Sequence, residues 1–412
     1  MAELSKKDII AFLKKANQEF QAIALQQGIK WQAANFEPTE NGNYKIAMPN
    51  RPNMGHFLSE LPASLEFSQT IQETNLFNFY LKKYTVEKPA WLNSEMLMRG
   101  VLDSYFGVCA NFEFETELAD EVADNFIKSW ETGKTSYVFR AVLRGAYGEI
   151  EEIKISDDLK IRRMTDSELR RHMEWFTKSI NEDALPYNRY ILELIRTEHH
   201  DDTGIHFPHI ISALRLIQPG AVKYETAYQR SKIGEITAGS SSEGYPLHKR
   251  PPVKNTYLLT DNVANELLIF YPLFQKDDFG KMLNIALSRL NIAAERVSPE
   301  DGILDALIAL EAVYGDGQGA IGYKIGMRCA VFLETEWEMR SKIKDDIAKA
   351  YSWRSAVVHG SKKKNSFLEA QKQADQIYDL VRCSIKKILK LKSEGKDIPS
   401  AEDFDLALLG KL

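Results

Sequence analysis

The chain has 412 residues, of which 44% are hydrophobic and 27% are charged, and its formal net charge at pH 7 is −5. These proportions are ordinary for a globular protein, and the length allows two or three domains of about 100–200 residues each. The negative net charge argues against a protein that coats nucleic acid indiscriminately. No run of about 18 apolar residues occurs, so we expect neither a transmembrane helix nor a membrane partner.

The three cysteines, Cys109, Cys329 and Cys383, lie far apart in the sequence and form no CxxC pair. An odd number without metal-ligand spacing predicts neither a disulfide framework nor a zinc site. The N-terminus alternates charged and apolar residues, as an amphipathic helix does, and does not resemble a signal peptide. We therefore expect a cytoplasmic protein that uses no metal and no other cofactor.

The first part of the chain mixes helical and strand-like patterns. Residues 1–29 have helical periodicity. Residues 136–155 alternate apolar and polar side chains around Gly145 and Gly148, which predicts a β-hairpin. The following segment, 153–165, predicts a strand, a turn and a second strand.

Thr165 and Glu168 form a capping-box pattern, which predicts a helix from Asp166 to about residue 180. The apolar runs at 189–195 and 211–217 are compatible with strands or with short helices. We interpret residues 1–240 as an α+β N-terminal region with a regulatory or sensing role. A segment rich in Gly, Ser and Pro, at 235–253, predicts a loop or linker after it.

Strong helical periodicity begins near residue 256. Ser298 as an N-cap and Pro299 in the first turn predict the start of one of these helices. Predicted helices cover 256–271, 277–296, 299–315, 320–335, 337–359 and 365–393. Short connections between them predict an all-α bundle over 256–395, which leaves 396–412 as a C-terminal tail.

The charge of this region differs from that of the rest of the chain. Residues 340–396 contain 15 Lys and Arg but only 6 Asp and Glu. A basic segment on an otherwise acidic chain suits the local capture of a polyanion. Solvated helix faces explain the same charges equally well.

The string RSAVVH, which begins at Arg354 and ends at His359, carries the chemistry of most interest. Arginine can hold two phosphate oxygens at once, and histidine can transfer protons near neutral pH. A five-residue offset separates the two side chains by about 140° on an ideal helix, so one copy is poorly arranged to act alone. A two-fold dimer that brings two copies to one cleft would supply two arginines and two histidines.

A basic run follows the string directly, at Lys362, Lys363 and Lys364. Each lysine can contact an RNA phosphate. We expect these three residues to bind RNA, with a solvated turn as the alternative.

Several ordered blocks around this string resemble the HEPN superfamily, in particular its Apea-like branch. The blocks are GILDALIALEAVY, YKIGMRCAVFLE and YSWRSAVVHG. The matching residues are Leu310, Glu311, Ala312, Tyr323, Lys324, Met327, Arg328, Ala330, Tyr351, Arg354, Ser355, His359 and Gly360. The resemblance covers about residues 265–395 of this chain.

The resemblance implies an antiparallel helical bundle that forms a homodimer and acts as a metal-independent endoribonuclease, in a toxin system or in antiviral defence. It implies RNA as the substrate and a trigger or antitoxin as a further partner. Carried over by position, Arg354 and His359 would be catalytic. Four other residues would support the site: Ser355, Tyr351, Glu311 and Arg328.

Three other interpretations compete with this one. A non-catalytic HEPN bundle would serve dimerisation or RNA binding only. A GxGxxG pattern at Gly317, Gly319 and Gly322 follows a predicted helix and not a strand, which favours a helix–helix loop over a dinucleotide site. The polar stretch from His199 to His209 contains metal-ligand residue types, although its spacing matches no known site and favours a solvated loop.

Overall fold

The computed structural model describes residues 3–29, 35–38, 44–47, 58–84, 92–107, 109, 112–132, 136–165, 168, 189–196, 203–220, 222–231, 257–275, 279–296, 298–317, 319–358 and 367–410. The chain divides into two compact units. The N-terminal unit comprises Met1–Leu143, Glu151–Thr203 and Glu225–Pro246. The C-terminal unit comprises Arg144–Ile150, Gly204–Tyr224 and Leu247–Leu412. The division is therefore not a single cut near the predicted linker, and residues 235–253 themselves lie wholly outside the described ranges.

The helices are α1 (Lys6–Gln26), α2 (Pro62–Gln72), α3 (Asn75–Lys83), α4 (Ser94–Phe106), α5 (Thr116–Thr132), α6 (Thr203–Ile217), α7 (Asp261–Phe274), α8 (Gly280–Glu295), α9 (Pro299–Tyr314), α10 (Ile321–Leu333), α11 (Trp337–Val358), α12 (Phe367–Ser393) and α13 (Ala401–Leu408). The strands are β1 (Asn35–Pro38), β2 (Tyr44–Ala47), β3 (Tyr137–Arg144), β4 (Ala146–Gly148), β5 (Glu152–Lys154), β6 (Leu159–Arg163), β7 (Tyr190–Arg196), β8 (Lys223–Ser231) and β9 (Tyr257–Leu259). A short 3-10 turn covers Leu58–Glu60.

The N-terminal unit contains a helical core around α1, which confirms the predicted first helix. Ser5 and Asp8 cap its first turn reciprocally, satisfying backbone N–H groups that have no partner within the helix. Its apolar face packs against α2 and α5. The rings of Phe12 and Phe67 stack with centroids 4.0 Å apart.

The main sheet has the strand order β5-β6-β7-β3-β8. The predicted hairpin around Gly145 and Gly148 is wrong. β3 pairs antiparallel with the distant β7, while β4 pairs parallel with β9. The strand–turn–strand prediction is confirmed, because β5 and β6 form an antiparallel pair. Local alternation predicted the strands, but their partners come from elsewhere in the chain.

A network of charges covers one patch of this sheet. Arg140 and Arg162 both donate to the buried carboxylate of Glu193, over 2.6 and 2.7 Å. Burial alone would raise the pKa of Glu193, but the hydrogen bonds and charges of Arg162 and Arg140 lower that pKa to about 2. Arg162 also pairs with Glu168. Thr165 and Glu168 form the predicted capping box, in which the side chain of each accepts from the backbone N–H of the other. The predicted helix beyond Glu168 lies outside the described residues.

The C-terminal unit is a helical bundle with one short parallel strand pair. The all-α prediction for 256–395 is therefore correct for most of its length and wrong at its start. Tyr257–Leu259 forms β9 because Ala146–Gly148 offers a backbone partner, and α7 begins only after the N-cap Thr260. Ser298 caps α9 as predicted. Within the described ranges, no helix combines the length and apolar composition needed to cross a bilayer.

The predicted tail is structured. Ser400 and Asp403 form a capping box at the start of α13. Phe404 of this helix is buried and lies against the rings of Tyr314 and Phe332, at centroid distances of 5.2 Å each. The capping pattern was readable in the sequence, but the aromatic contacts that hold α13 on the bundle are tertiary.

Candidate active site

Arg354 lies in the last turns of α11, where it contacts two residues of the predicted support set. Its Nη1 donates to Oε1 of Glu311 on α9. The hydroxyl of Tyr351 donates to the same oxygen over 2.9 Å. The Arg354 guanidinium also lies 5.7 Å from the centre of the Tyr351 ring, within the range of a cation–π contact. The three side chains form one polar cluster.

The local helix explains part of this geometry. Residues three apart lie on the same side of a helix, so Tyr351 and Arg354 can reach the same carboxylate. Trp353, between them, is buried, with 6% of its surface exposed, and it fixes the opposite side of α11 in the core. Ser355 is exposed, and among the described residues no hydrogen bond joins it to the cluster.

The Tyr351 phenol is a hydrogen-bond donor in this cluster. Burial, and then the adjacent charge of Glu311, raise the pKa of Tyr351 above its usual value. The hydroxyl therefore stays protonated across the physiological range and cannot act as a base. Its proton is committed to Glu311, so it orients the carboxylate that engages Arg354.

Arg354 keeps unused hydrogen-bonding capacity. A guanidinium has five N–H donors, and among the described residues only Nη1 has a recorded acceptor. The side chain is 37% exposed. The Nε and Nη2 donors remain able to hold two oxygens of a phosphate in the bidentate manner typical of arginine.

The glycine pattern has a packing role at one position. A Cβ on Gly322, in the first turn of α10, would lie 3.0 Å from the Tyr351 ring. Glycine therefore permits the close approach of α10 to Tyr351. Gly317 has a φ of +72° and lies in the connection between α9 and α10, and α9 precedes the pattern. The helix–helix loop interpretation is thus the one that fits.

Arg328 lies in a separate network. It donates to both carboxylate oxygens of Asp405 over 2.7 Å each, to the Tyr314 carbonyl over 2.8 Å and to Asp316 over 2.9 Å. Its side chain is 2% exposed. These contacts join α13 to α10. Arg328 therefore stabilises the packing of these helices, and no hydrogen bond within the described ranges joins it to the Arg354 cluster. Sequence reasoning missed Asp405 because it treated the segment as a tail.

A cavity of about 320 Å³ lies between α8, α9 and α10. Glu311 lines it together with Asp316, Lys324 and Arg328. No local sequence pattern indicates this cavity, because its walls come from three helices. Glu311 is therefore shared between the Arg354 cluster and a ligand-sized space.

The remaining predicted residues lie outside the described ranges: His359, Lys362, Lys363 and Lys364. α11 ends at Val358, directly before His359.

The stretch from His199 to His209 is described only in part. His199, His200, Asp201 and Asp202 lie outside the described ranges. Nδ1 of His206 lies 2.6 Å from the Tyr271 hydroxyl. In the part of the chain that the structure describes, no three His, Cys, Asp or Glu residues are grouped as metal ligands would be.

Comparison with protein-family models, curated proteins and solved structures finds no match to this chain. The motif residues and the cluster around Arg354 are therefore the features that bear on function.

Proposed function

We propose that this chain is a metal-independent endoribonuclease of HEPN type, whose composite active site forms at a homodimer cleft. One observation supports it most: a partly exposed Arg354 is held by Glu311 and Tyr351 at the end of α11, five residues before His359. We interpret it as a preoriented phosphate-binding arginine that precedes, by five positions in the sequence, a residue able to transfer protons.

In the proposed reaction, a base removes the proton of the ribose 2′-hydroxyl, and the 2′-oxygen attacks the adjacent phosphorus. The bond from phosphorus to the 5′-oxygen breaks, and an acid protonates that leaving oxygen. His359 from one protomer would be the base and His359 from the other the acid. Arg354 would stabilise the negative charge that develops on the phosphate oxygens.

Glu311 has two consequences for this proposal. It holds the guanidinium in one orientation through Nη1, which lowers the entropy that substrate binding must remove. It also neutralises part of the arginine charge, so a bound phosphate has to share the cation with a carboxylate. The Lys362–Lys364 run would supply further positive charge for the RNA backbone.

The N-terminal unit would sense a trigger or bind an antitoxin and so control the nuclease, as in a toxin or an antiviral-defence effector. The excess of acidic residues outside 340–396 motivates this part of the proposal. Deleting residues 1–135, which lie wholly in the N-terminal unit and leave every segment of the C-terminal unit in place, is then expected to raise RNase activity or cell toxicity. Unchanged activity in a folded fragment would contradict it.

The deciding experiment is a cleavage assay of the full chain on total RNA and on tRNA, with and without EDTA. Arg354→Ala and His359→Ala should each lower the cleavage rate by about 10²-fold or more. Neither should change the dimer mass or shift the melting temperature by more than a few degrees. Lys349→Ala, an exposed position on the same helix, is the matched loss of charge and should cleave like the wild type.

Two outcomes would favour other functions. A folded dimer that binds RNA but cleaves none would favour a non-catalytic dimerisation or RNA-binding module, which the neutralising contact from Glu311 to Arg354 also fits. Loss of cleavage with EDTA would favour a metal-dependent hydrolase built on the His199–His209 stretch.

A further inference from the structure

The cavity beside Glu311 has the size and lining of a small-molecule site. Its volume of about 320 Å³ falls at the lower end of the range of about 300–1,000 Å³ for ligand pockets. Isoleucine side chains from three helices form apolar walls, including Ile285, Ile308 and Ile321. Such walls favour an apolar or weakly polar part of a ligand.

The Glu311 carboxylate uses only one of its two oxygens within the Arg354 cluster. Oε1 accepts from Arg354 and Tyr351. For Oε2 the structure records no hydrogen bond among the described residues. Because Glu311 also lines the cavity, Oε2 can accept hydrogen bonds from a ligand bound there.

The two cationic side chains that line the cavity, Arg328 and Lys324, differ in whether they still have N–H donors for a ligand. Arg328 is occupied by Asp405, the Tyr314 carbonyl and Asp316. Lys324 pairs with Asp316 over 2.9 Å, and its side chain remains 32% exposed. An ammonium group has three donors, so Lys324 can still donate to a ligand. The cavity thus offers apolar walls, one carboxylate acceptor and one ammonium donor.

This set of groups matches the edge of a guanine base. Guanine presents two adjacent donors, N1–H and N2–H, which can both donate to the single available oxygen Oε2 of Glu311, and its O6 can accept a hydrogen bond from Lys324. Uracil and cytosine are smaller, and adenine lacks an oxygen acceptor. Hydrogen bonds to the edge of an unpaired base are one of the usual means by which proteins recognise single-stranded RNA.

We propose that this cavity binds a guanine base of the RNA next to the phosphate held by Arg354, and that Glu311 determines this specificity. The proposal rests on the ribonuclease function proposed above. Glu311 then couples the two subsites: one oxygen orients the phosphate-binding arginine, and the other reads the base. Cleavage is expected beside guanosine in single-stranded RNA.

The test measures binding separately from cleavage. The full chain is titrated calorimetrically with GMP, AMP, CMP and UMP, and we expect GMP to bind at least tenfold more tightly than UMP. Ala312→Phe, a partly exposed lining position on α9, fills the cavity and should weaken GMP binding at least tenfold. Ala348→Phe, an exposed position on α11, is the matched control and should leave GMP binding unchanged.

Further variants keep the test decisive. If Ala312→Phe does not fold, Ile321→Trp fills the same cavity from a residue that is 41% exposed. Glu311→Gln should reduce the ratio of GMP to UMP affinity towards one. In parallel, the 3′ and 5′ ends of RNA fragments produced by the wild type are sequenced.

The outcomes separate the two proposals. Equal affinity for the four nucleotides, no GMP binding, or unchanged GMP binding in the filled-cavity variants would overturn the guanine site, whether or not RNA is cleaved. GMP-specific binding that is lost in those variants, without RNA cleavage by the wild type, would support the base pocket and overturn the ribonuclease. Cleavage without base preference would overturn the specificity alone.

Discussion

Arg328 on α10 and Arg354 on α11 are both held by carboxylates, yet their environments differ. Arg328 is 2% exposed and uses all three of its nitrogens on protein acceptors. Arg354 is 37% exposed and uses one nitrogen on Glu311. A saturated, buried arginine holds helices together, whereas a partly exposed one with unused donors can bind a phosphate. Burial and unused donors therefore separate two residues that a sequence pattern treats alike.

Removing each arginine tests this contrast directly. Arg328→Ala is expected to lower the free energy of unfolding by about 3 kcal/mol, because it removes a buried guanidinium with all of its hydrogen bonds and leaves the Tyr314 carbonyl without its donor. Arg354→Ala should cost less, about 1 kcal/mol, because its ion pair with Glu311 is partly exposed to solvent. Urea denaturation of both variants measures the difference. Equal losses of stability would contradict the structural distinction.

Substitutions at Gly322 and Gly319 test how closely α10 packs against Tyr351 of the Arg354 cluster. Gly322→Val places a branched side chain against the Tyr351 ring, which is 3.0 Å from an added Cβ. We expect a loss of about 2 kcal/mol from overpacking and weaker RNA cleavage, because Tyr351 must move. Gly319→Val is the matched control, since a Cβ there meets open space. A similar loss at both positions would show that the Tyr351 contact is not the cause.

The hydroxyl of Tyr351 has a smaller predicted effect. Tyr351→Phe removes one hydrogen bond to Glu311 and should lower stability by about 1 kcal/mol, with a reduced rate of RNA cleavage. Tyr323→Phe removes a hydroxyl from a side chain that is 66% exposed and should change neither quantity. Thermal unfolding and initial cleavage rates measure both variants. A fully active Tyr351→Phe variant would mean that Glu311 orients Arg354 without the phenol.

The smallest predicted effect concerns pH and the partner of Arg328. The hydrogen bond from Arg328 lowers the pKa of Asp405. A carboxylate with a depressed folded-state pKa contributes stability above its unfolded pKa of about 3.9, and that contribution disappears as pH falls through the folded-state value. Asp405 is 52% exposed, so Asp405→Asn should cost less than about 1 kcal/mol at neutral pH.

The stability difference between wild type and Asp405→Asn should therefore be constant above about pH 5 and shrink as the pH is lowered further. Glu402→Gln, an exposed position on the same helix, is the control. Urea unfolding between neutral and acidic pH measures both differences. A difference that grows towards low pH would contradict the direction of the pKa shift.

Much of the secondary structure could be predicted because its signals are local. The structure contains the predicted N-cap at Ser298 and the predicted capping box of Thr165 and Glu168. Both could be predicted because a capping side chain contacts backbone only two or three residues away. The helix predicted from residue 256 began too early, because Tyr257–Leu259 pairs with Ala146–Gly148. That pairing joins segments about a hundred residues apart, and a local pattern carries no information about it.

The candidate site also contains residues that the sequence grouped correctly and one that it did not. The motif identified Arg354 and the resemblance identified Glu311 and Tyr351 as supporting positions, and the structure brings these three together. The resemblance grouped Arg328 with them, but its partner Asp405 lies 77 residues away on α13. The Arg328–Asp405 contact forms only where α13 packs against the bundle. The buried ring of Phe404, which contacts the Tyr314 ring, holds α13 in that position.

By itself, the sequence determined the helical character of the C-terminal unit, the mixed character of the N-terminal unit and an arginine–histidine motif suited to phosphate chemistry. These follow from periodicity, capping and side-chain chemistry, which act over a few residues. Only the tertiary structure decided which arginine is buried, which carboxylate orients Arg354 and where a cavity opens beside Glu311. Those properties arise where separate helices meet, and burial there sets which donors and acceptors remain available to a ligand.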